Sequence, residues 1–184
     1  MKVYVLLAQG FEIVEAMLPI DILRRAKIET LTVSINDNPV VEASNGTSVV
    51  ADLLLSQCDC NDGSMLFLPG GMPGSSNLHE SKVVNDLIMQ YHKANKWLVA
   101  ICAAPMVFGR LGILAGEKAT CFPGFEQDLL NAEPCQKTCV RSGHFITGCG
   151  AGAAFALGRE MVAVLKDEAS ADDILRRMMF QVYE

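Results

Sequence analysis

Apolar runs and segments with helical spacing alternate along the chain, and they predict strands and helices in the same order. Residues 2–8 form a short apolar run closed by Gly10, and apolar positions then recur with helical spacing over 12–26. Residues 28–35 return to a run rich in β-branched side chains. The chain is therefore predicted to open as a strand, a helix and a second strand.

The middle of the chain repeats this alternation. Residues 64–68 are a continuous apolar strand that enters a turn rich in proline and glycine at 69–74, and a helix is predicted over 81–96. Residues 97–101 are another apolar strand, followed by the helix-like segment 103–111. Buried strands that alternate with helices predict a parallel sheet with helices on both faces. Ligands of that architecture bind at the carboxyl ends of the strands.

A hairpin lies outside this alternation, and further elements follow it in the second half of the chain. Asn45-Gly46 between two short apolar segments predicts a hairpin with a type I′ turn, over 40–42 and 47–51, which leaves the main sheet. The remaining elements predicted for the second half are a strand pair over 136–141 and 144–147, an apolar helix from the glycine-rich 148–152 to about residue 165, and a last helix over 171–182.

Composition and charge narrow the class of protein. The 184 residues are 51% hydrophobic and 20% charged and show no repeat or linker, so a single domain over 1–184 is predicted. A formal charge of −6 without a basic run gives no nucleic-acid footprint. The apolar run at 2–8 is too short for a signal peptide and no membrane-spanning segment follows, which predicts a cytoplasmic protein whose partners are small molecules or proteins.

The cysteines follow no regular spacing. Seven are present, namely Cys58, Cys60, Cys102, Cys121, Cys135, Cys139 and Cys149. An odd number scattered through apolar runs predicts reduced thiols. The spacings Cys58-x-Cys60 and Cys135-x3-Cys139 lack the paired C-x2-C of structural zinc sites, so no metal is expected.

Cys102 is the sharpest candidate for chemistry. The order strand, cysteine, two small residues, proline and helix places its thiol on a tight turn near a helix N-terminus, which predicts a lowered thiol pKa and a strained backbone. The small Ala103 and Ala104 leave their amides free to face a developing oxyanion, as in a nucleophile elbow. The alternative is a buried structural cysteine at a strand end.

Glu15 is the second candidate, because its helix places it among apolar side chains. Its neighbours at i−4, i+3 and i+7 are Phe11, Leu18 and Ile22. A carboxyl group on that stripe is predicted to be buried, with a raised pKa, and able to hold or pass a proton. The alternative is a glutamate at the edge of the stripe that reaches solvent, Arg24 or Arg25. Glu12, one turn earlier, is predicted to cap the helix.

Pro69-Gly70-Gly71 follows the predicted strand 64–68. The segment has neither the Lys-Ser/Thr of a phosphate loop nor a six-residue glycine fingerprint, so no nucleotide site is indicated. We predict a Gly-Gly turn whose amides point toward Cys102, with a plain tight turn as the alternative.

Three motifs in this order resemble the DJ-1/ThiJ branch of the DJ-1/PfpI superfamily. They read Gly10-x-Glu12-x2-Glu15-x3-Pro19-x-Asp21, Leu68-Pro69-Gly70-Gly71, and Ala100-Ile101-Cys102-Ala103-Ala104-Pro105. The resemblance spans nearly the whole chain. It implies a flavodoxin-like three-layer α/β sandwich, similar to class I glutamine amidotransferases, with a mostly parallel sheet, helices on both faces and a small hairpin. It also implies a homodimer.

The same resemblance implies a site and a set of activities. Cys102 would be the nucleophile, Glu15 its proton partner, and the backbone of Gly70, Gly71 and Ala103 the oxyanion pocket. The activity implied is cofactor-free glyoxalase or deglycase chemistry on a small aldehyde or dicarbonyl. The alternatives are an oxidative-stress sensor or chaperone that uses Cys102 oxidation, and a PfpI-type protease.

The chain departs from the family pattern at four positions. Ala103 stands where the protease branch has histidine, and Phe122 where many relatives have a histidine near the cysteine. Asn45 and Cys149 stand where many relatives have arginines, so anion binding and dimer contacts are expected to differ. A protease would need a distant histidine to fold against Cys102. The three histidines are His79, His92 and His144.

Overall fold

The computed structural model describes residues 1–180, in which strands and helices alternate. The first half contains β1 (Lys2–Leu7), α1 (Ile13–Arg25), β2 (Glu29–Ser34), β3 (Val40–Glu42), β4 (Ser48–Val50), β5 (Leu53–Leu54), β6 (Met65–Leu68), α2 (Gly74–Glu80) and α3 (Lys82–Lys93). The second half contains β7 (Trp97–Ile101), α4 (Pro105–Arg110), β8 (Lys118–Ala119), β9 (Glu133–Pro134), β10 (Cys139–Ser142), β11 (Phe145–Gly148), α5 (Ala154–Leu165) and α6 (Glu168–Arg177).

Seven strands form one sheet in the order β10-β11-β7-β6-β1-β2-β5. All neighbours pair in parallel except β10 and β11, which form an antiparallel hairpin at one edge. Parallel pairing brings the carboxyl ends of β6, β7 and β11 to the same edge, where Leu68 pairs with Ala100 and Ile101 pairs with Gly148. This edge carries the predicted site residues that follow β6 and β7.

Side chains of the sheet alternate between two separate cores, because successive residues of a strand point to opposite faces. In β1, Val3 and Val5 pack in the core that contains α1, α5 and α6, whereas Tyr4 and Leu6 pack in the core that contains α3 and α4. Helices therefore cover both faces of the sheet. The predicted three-layer α/β fold is confirmed.

The hairpin predicted around Asn45-Gly46 forms a separate two-stranded sheet of β3 and β4, as predicted, but its turn is not type I′. Residues 43–47 separate the last paired residues, and only Gly46 of the dipeptide has a positive φ, at 85°. The Asn45 side chain instead accepts a hydrogen bond from the Thr47 amide at 3.1 Å. The longer loop lets Asn45 stay in an ordinary conformation.

The helices differ from prediction mainly at their starts. The sequence did not predict α2, and α3 begins after Ser81, whose hydroxyl accepts from the Val84 amide. The last helix starts at Glu168 rather than at 171, because Asp167 caps it. The end predicted for this helix, at residue 182, lies outside the described residues. No helix within residues 1–180 combines the length and apolarity needed to cross a membrane.

Candidate active site

Cys102 lies directly after β7 in a left-handed backbone conformation, with φ of 63°. Two neighbouring segments hold it there. The Cys102 amide donates to the Gly148 carbonyl at 2.9 Å, and the Cys102 carbonyl accepts from the Phe122 amide at 2.8 Å. A positive φ is strained for a cysteine and persists only where surrounding contacts impose it. The predicted strained turn is confirmed.

Glu15 lies in α1 with only 1% of its surface exposed. Its carboxylate accepts hydrogen bonds from the Gly70 amide, at 3.1 Å, and from the Cys102 thiol. Glu12 caps the helix by accepting from the Glu15 amide at 2.7 Å. The predicted burial and cap are confirmed, and the alternative of an arginine partner is wrong. Both arginines pair elsewhere, Arg24 with Asp52 and Arg25 with Asp21.

Burial raises the pKa of Glu15 from 4.5 to about 7. The hydrogen bond from the Cys102 thiol and the Gly70 amide oppose this rise, and the negative charge of Glu12 adds to it. The predicted rise in pKa is therefore confirmed. A carboxyl group with a pKa near neutrality can both accept and return a proton under physiological conditions.

The Cys102 thiol does not have the lowered pKa predicted from its position before a helix. Burial raises its pKa to about 12, and the charge and hydrogen bond of Glu15 add to that rise. Hydrogen bonds from the Gly71 and Ala103 amides to the sulfur lower the pKa but are outweighed. At neutral pH the pair therefore consists of a thiol that donates to a partly ionised carboxylate.

Gly70 and Gly71 permit this close approach. A Cβ at Gly70 would collide with Glu15 Oε2 and lie 2.6 Å from the Cys102 Cβ. Gly71 has φ of 90°, and a Cβ there would lie 2.5 Å from the Glu12 amide nitrogen. The two glycines do more than make a plain tight turn, because their amides are directed at Glu15 and Cys102.

None of the three histidines hydrogen-bonds Cys102. His92 Nδ1 and His144 Nε2 lie 3.0 Å apart and pair with each other, and His79 lies in α2. Phe122 is 48% exposed and lies beside Gly150, where a Cβ would contact its ring at 3.4 Å. The side chain that hydrogen-bonds the Cys102 thiol is therefore Glu15, and not a histidine.

A cavity of about 530 Å³ adjoins the elbow, lined by residues of 119–123 and 134–138 together with Cys149. Cys102 and Glu15 do not line this cavity. Phe122 and Gly148, which bond the main chain of Cys102, are the sequence neighbours of the lining residues Cys121 and Cys149. The candidate pair of Cys102 and Glu15 therefore lies outside this cavity.

Comparison with known proteins adds four relationships. The model of the DJ-1/PfpI family matches residues 1–164. The protein dj-1beta of Drosophila melanogaster is 29% identical over 177 residues, which cover 95% of both chains. A deglycase of Pyrococcus abyssi is 29% identical over 169 residues, covering 90% of this chain and 100% of that protein. The structure of oxidized DJ-1 from Toxoplasma gondii is similar with a TM-score of 0.94 and 30% identity, over 98% of both chains.

Proposed function

The chain belongs to the DJ-1/PfpI family, and on this premise we propose that it converts small reactive dicarbonyls by covalent catalysis at Cys102. Glu15 serves as the proton acceptor and donor, and no cofactor takes part. The observation that carries the proposal is the buried Glu15 carboxyl, 1% exposed and bonded by the Gly70 amide, which lies with Cys102 against Gly70 and has a pKa of about 7. The deglycase among the relatives supports this substrate class.

The first step joins the sulfur to the aldehyde carbon of a 2-oxoaldehyde. Glu15 takes the thiol proton as the carbon–sulfur bond forms, and it then gives that proton to the aldehyde oxygen, which yields a hemithioacetal. The Gly71 and Ala103 amides, which hydrogen-bond the sulfur, lie beside the carbon that it attacks. They stabilise the negative charge that develops on the aldehyde oxygen.

The second step moves a proton between adjacent carbons. The hydrogen on the hemithioacetal carbon is acidic because a ketone lies next to it, so Glu15 removes it and returns it to the former ketone carbon. The hydroxyl proton of the hemithioacetal passes to the former ketone oxygen. The product is a thioester of a 2-hydroxy acid on Cys102. Water cleaves the carbon–sulfur bond, the hydroxy acid leaves, and the thiol regains its proton. One water is consumed, and no oxidant or reductant is needed.

The other roles expected from the family have less support from this site. An oxidation sensor requires a readily formed thiolate, whereas burial and the Glu15 charge raise the pKa of the Cys102 thiol. A chaperone role based on the same oxidation meets the same difficulty. A PfpI-type protease requires a histidine base, and no histidine hydrogen-bonds Cys102. The enzyme proposal uses the contacts that the pair makes.

We also propose that the protein is a cytoplasmic homodimer. The cytoplasmic location is supported by the seven cysteines, none of which is in a disulfide. The homodimer is supported by large apolar side chains that α1 and the β3–β4 hairpin leave exposed, among them Val14 and Val50.

Incubation of the purified protein with methylglyoxal tests the proposed function. We expect lactate to accumulate without added thiol or metal, with one enantiomer in excess, because Glu15 returns the proton from a single side. Chiral chromatography of the product, with protein-free buffer as the control, measures both properties. Lactate that forms no faster than in buffer, or in racemic form, would contradict the proposal.

A further inference from the structure

A pair of cysteines lies far from the proposed active site. The Cys58 and Cys60 sulfurs are 3.0 Å apart, and both thiols are free. A disulfide bond is about 2.05 Å long, so the two sulfurs need to approach by only about 1 Å to be joined. We propose that Cys58 and Cys60 are a redox site of this protein, which closes to a disulfide on reaction with a hydroperoxide and reopens with a thiol reductant.

The backbone around the pair is held from two directions. Cys60 begins the short 3-10 helix Cys60–Asp62, and the preceding Asp59 caps it by accepting from the Asn61 amide at 3.0 Å. The Tyr91 hydroxyl donates to the Cys60 carbonyl at 2.5 Å. These contacts hold the backbone of Cys60, whose sulfur lies 3.0 Å from that of Cys58. Closing the bond therefore requires little additional ordering of the chain.

The two thiols differ in access to solvent. Cys60 is buried, with 2% of its surface exposed, whereas Cys58 is partly exposed. Both line a cavity of about 280 Å³ between the loop that precedes β6 and the helix α3. A small hydroperoxide that enters this cavity meets Cys58 first.

The charges around Cys60 act in the same sense. Burial raises the pKa of Cys60, and the contact with Cys58 and the carboxylates of Asp59 and Asp62 raise it further. Asp62 is itself paired with Lys2 and Tyr4 at the start of β1. Cys60 therefore stays protonated, which assigns the first oxidation to Cys58 and the closing step to Cys60.

The chemistry balances with the hydroperoxide as the only oxidant. The Cys58 sulfur attacks one peroxide oxygen, the oxygen–oxygen bond breaks, and water or an alcohol leaves with the thiol proton, which gives a sulfenic acid. The Cys60 sulfur then attacks the Cys58 sulfur, the sulfur–oxygen bond breaks, and the hydroxide leaves with the Cys60 proton as water. Two thiols are oxidised by two electrons, and the peroxide is reduced by the same two.

The pair lies near the amino ends of the sheet strands, whereas Cys102 lies at their carboxyl ends. Cys60–Asp62 precedes the start of β6 at Met65, and Asp62 bonds residues at the start of β1. Cys102 follows the carboxyl end of β7, which runs parallel to β6. The proposed disulfide therefore forms independently of the thiol–carboxylate pair.

Trypsin allows the pair to be tested alone, because the tryptic peptide 28–82 contains no other cysteine. The protein is treated with stoichiometric hydrogen peroxide, and its free thiols are alkylated. It is then digested with trypsin, and the peptide masses are measured by mass spectrometry. We expect this peptide to lose two hydrogens and to carry no alkyl group, whereas the untreated peptide carries two. Dithiothreitol added before alkylation should restore both alkyl groups.

Single variants separate the proposed bond from other oxidation. In Cys58→Ser and in Cys60→Ser the remaining cysteine should form no disulfide within the peptide. Cys102→Ala should form the Cys58–Cys60 disulfide as the wild type does. Because Cys58 is partly exposed, Cys58→Ser retains the fold even if Cys60→Ser does not. Two alkyl groups on the peroxide-treated wild-type peptide, or sulfinic acid at Cys58 instead of the bond, would overturn the proposal.

Discussion

Replacement of Cys102 by alanine is expected to abolish the conversion of methylglyoxal, with a loss of roughly 10⁴-fold or more. Every proposed covalent intermediate is attached to this sulfur, and the carboxylate of Glu15 is left without a nucleophile to activate. Alanine takes the place of a residue held at φ of 63° by two backbone hydrogen bonds that do not involve the side chain, so the turn is retained. The rate of lactate formation measures the loss.

Cys58→Ala is the matched control for this variant. Cys58 is also partly exposed but lies near the amino ends of the sheet strands, far from Cys102 at their carboxyl ends. Its removal should therefore leave the rate of lactate formation unchanged. A Cys102→Ala protein that keeps about a tenth of wild-type activity or more would show that turnover does not pass through a bond to this sulfur.

The second large effect is expected in the pH dependence of folding stability. Burial raises the pKa of Glu15 from 4.5 to about 7, so between these values the folded protein binds a proton that the unfolded chain releases. The contribution of Glu15 to stability is therefore fully present below about pH 4.5 and is lost as the pH rises through about 7. At about 1.4 kcal/mol for each unit, the loss amounts to about 3 kcal/mol.

Glu15→Gln removes this titration and keeps an oxygen that can accept from the Gly70 amide. The free energy of unfolding of the variant minus that of the wild type should increase by about 3 kcal/mol from pH 4 to pH 8. Urea denaturation at both pH values measures the gain. Glu80→Gln, which removes an exposed carboxylate, reports the effect of losing a charge alone. A stability difference between Glu15→Gln and wild type that does not change with pH would contradict the buried titration.

The strands of the main sheet could be predicted from sequence because each is a short apolar run bounded by turn residues. The strand at 97–101 is observed with the predicted bounds. The helix α2 could not be predicted, since Gly74, Ser75 and Ser76 are weak helix formers. Tertiary packing determines the start of this helix. The backbone of Gly74 packs so closely against Phe11 that a Cβ at Gly74 would lie 2.8 Å from the Phe11 amide nitrogen.

In the candidate site, the placement of groups was more predictable than their energetics. The burial of Glu15 follows from its apolar neighbours, and the turn at Cys102 follows from the small residues after a buried strand. The pKa of the Cys102 thiol could not be predicted, because it depends on whether burial outweighs the amides of Gly71 and Ala103. The backbone bonds to Cys102 likewise leave no signal in residue type, since any residue can make them.

The central claim is that Glu15 is the base for the Cys102 thiol, and the pH profile of kcat/KM for methylglyoxal tests it most directly. Because the base must be ionised, the wild-type value should rise with pH through about 7 and then level off. Glu15→Gln should lose roughly 10²–10⁴-fold and show no such rise. A Glu15→Gln profile that keeps the rise near pH 7, or a wild-type profile without one, would contradict the claim.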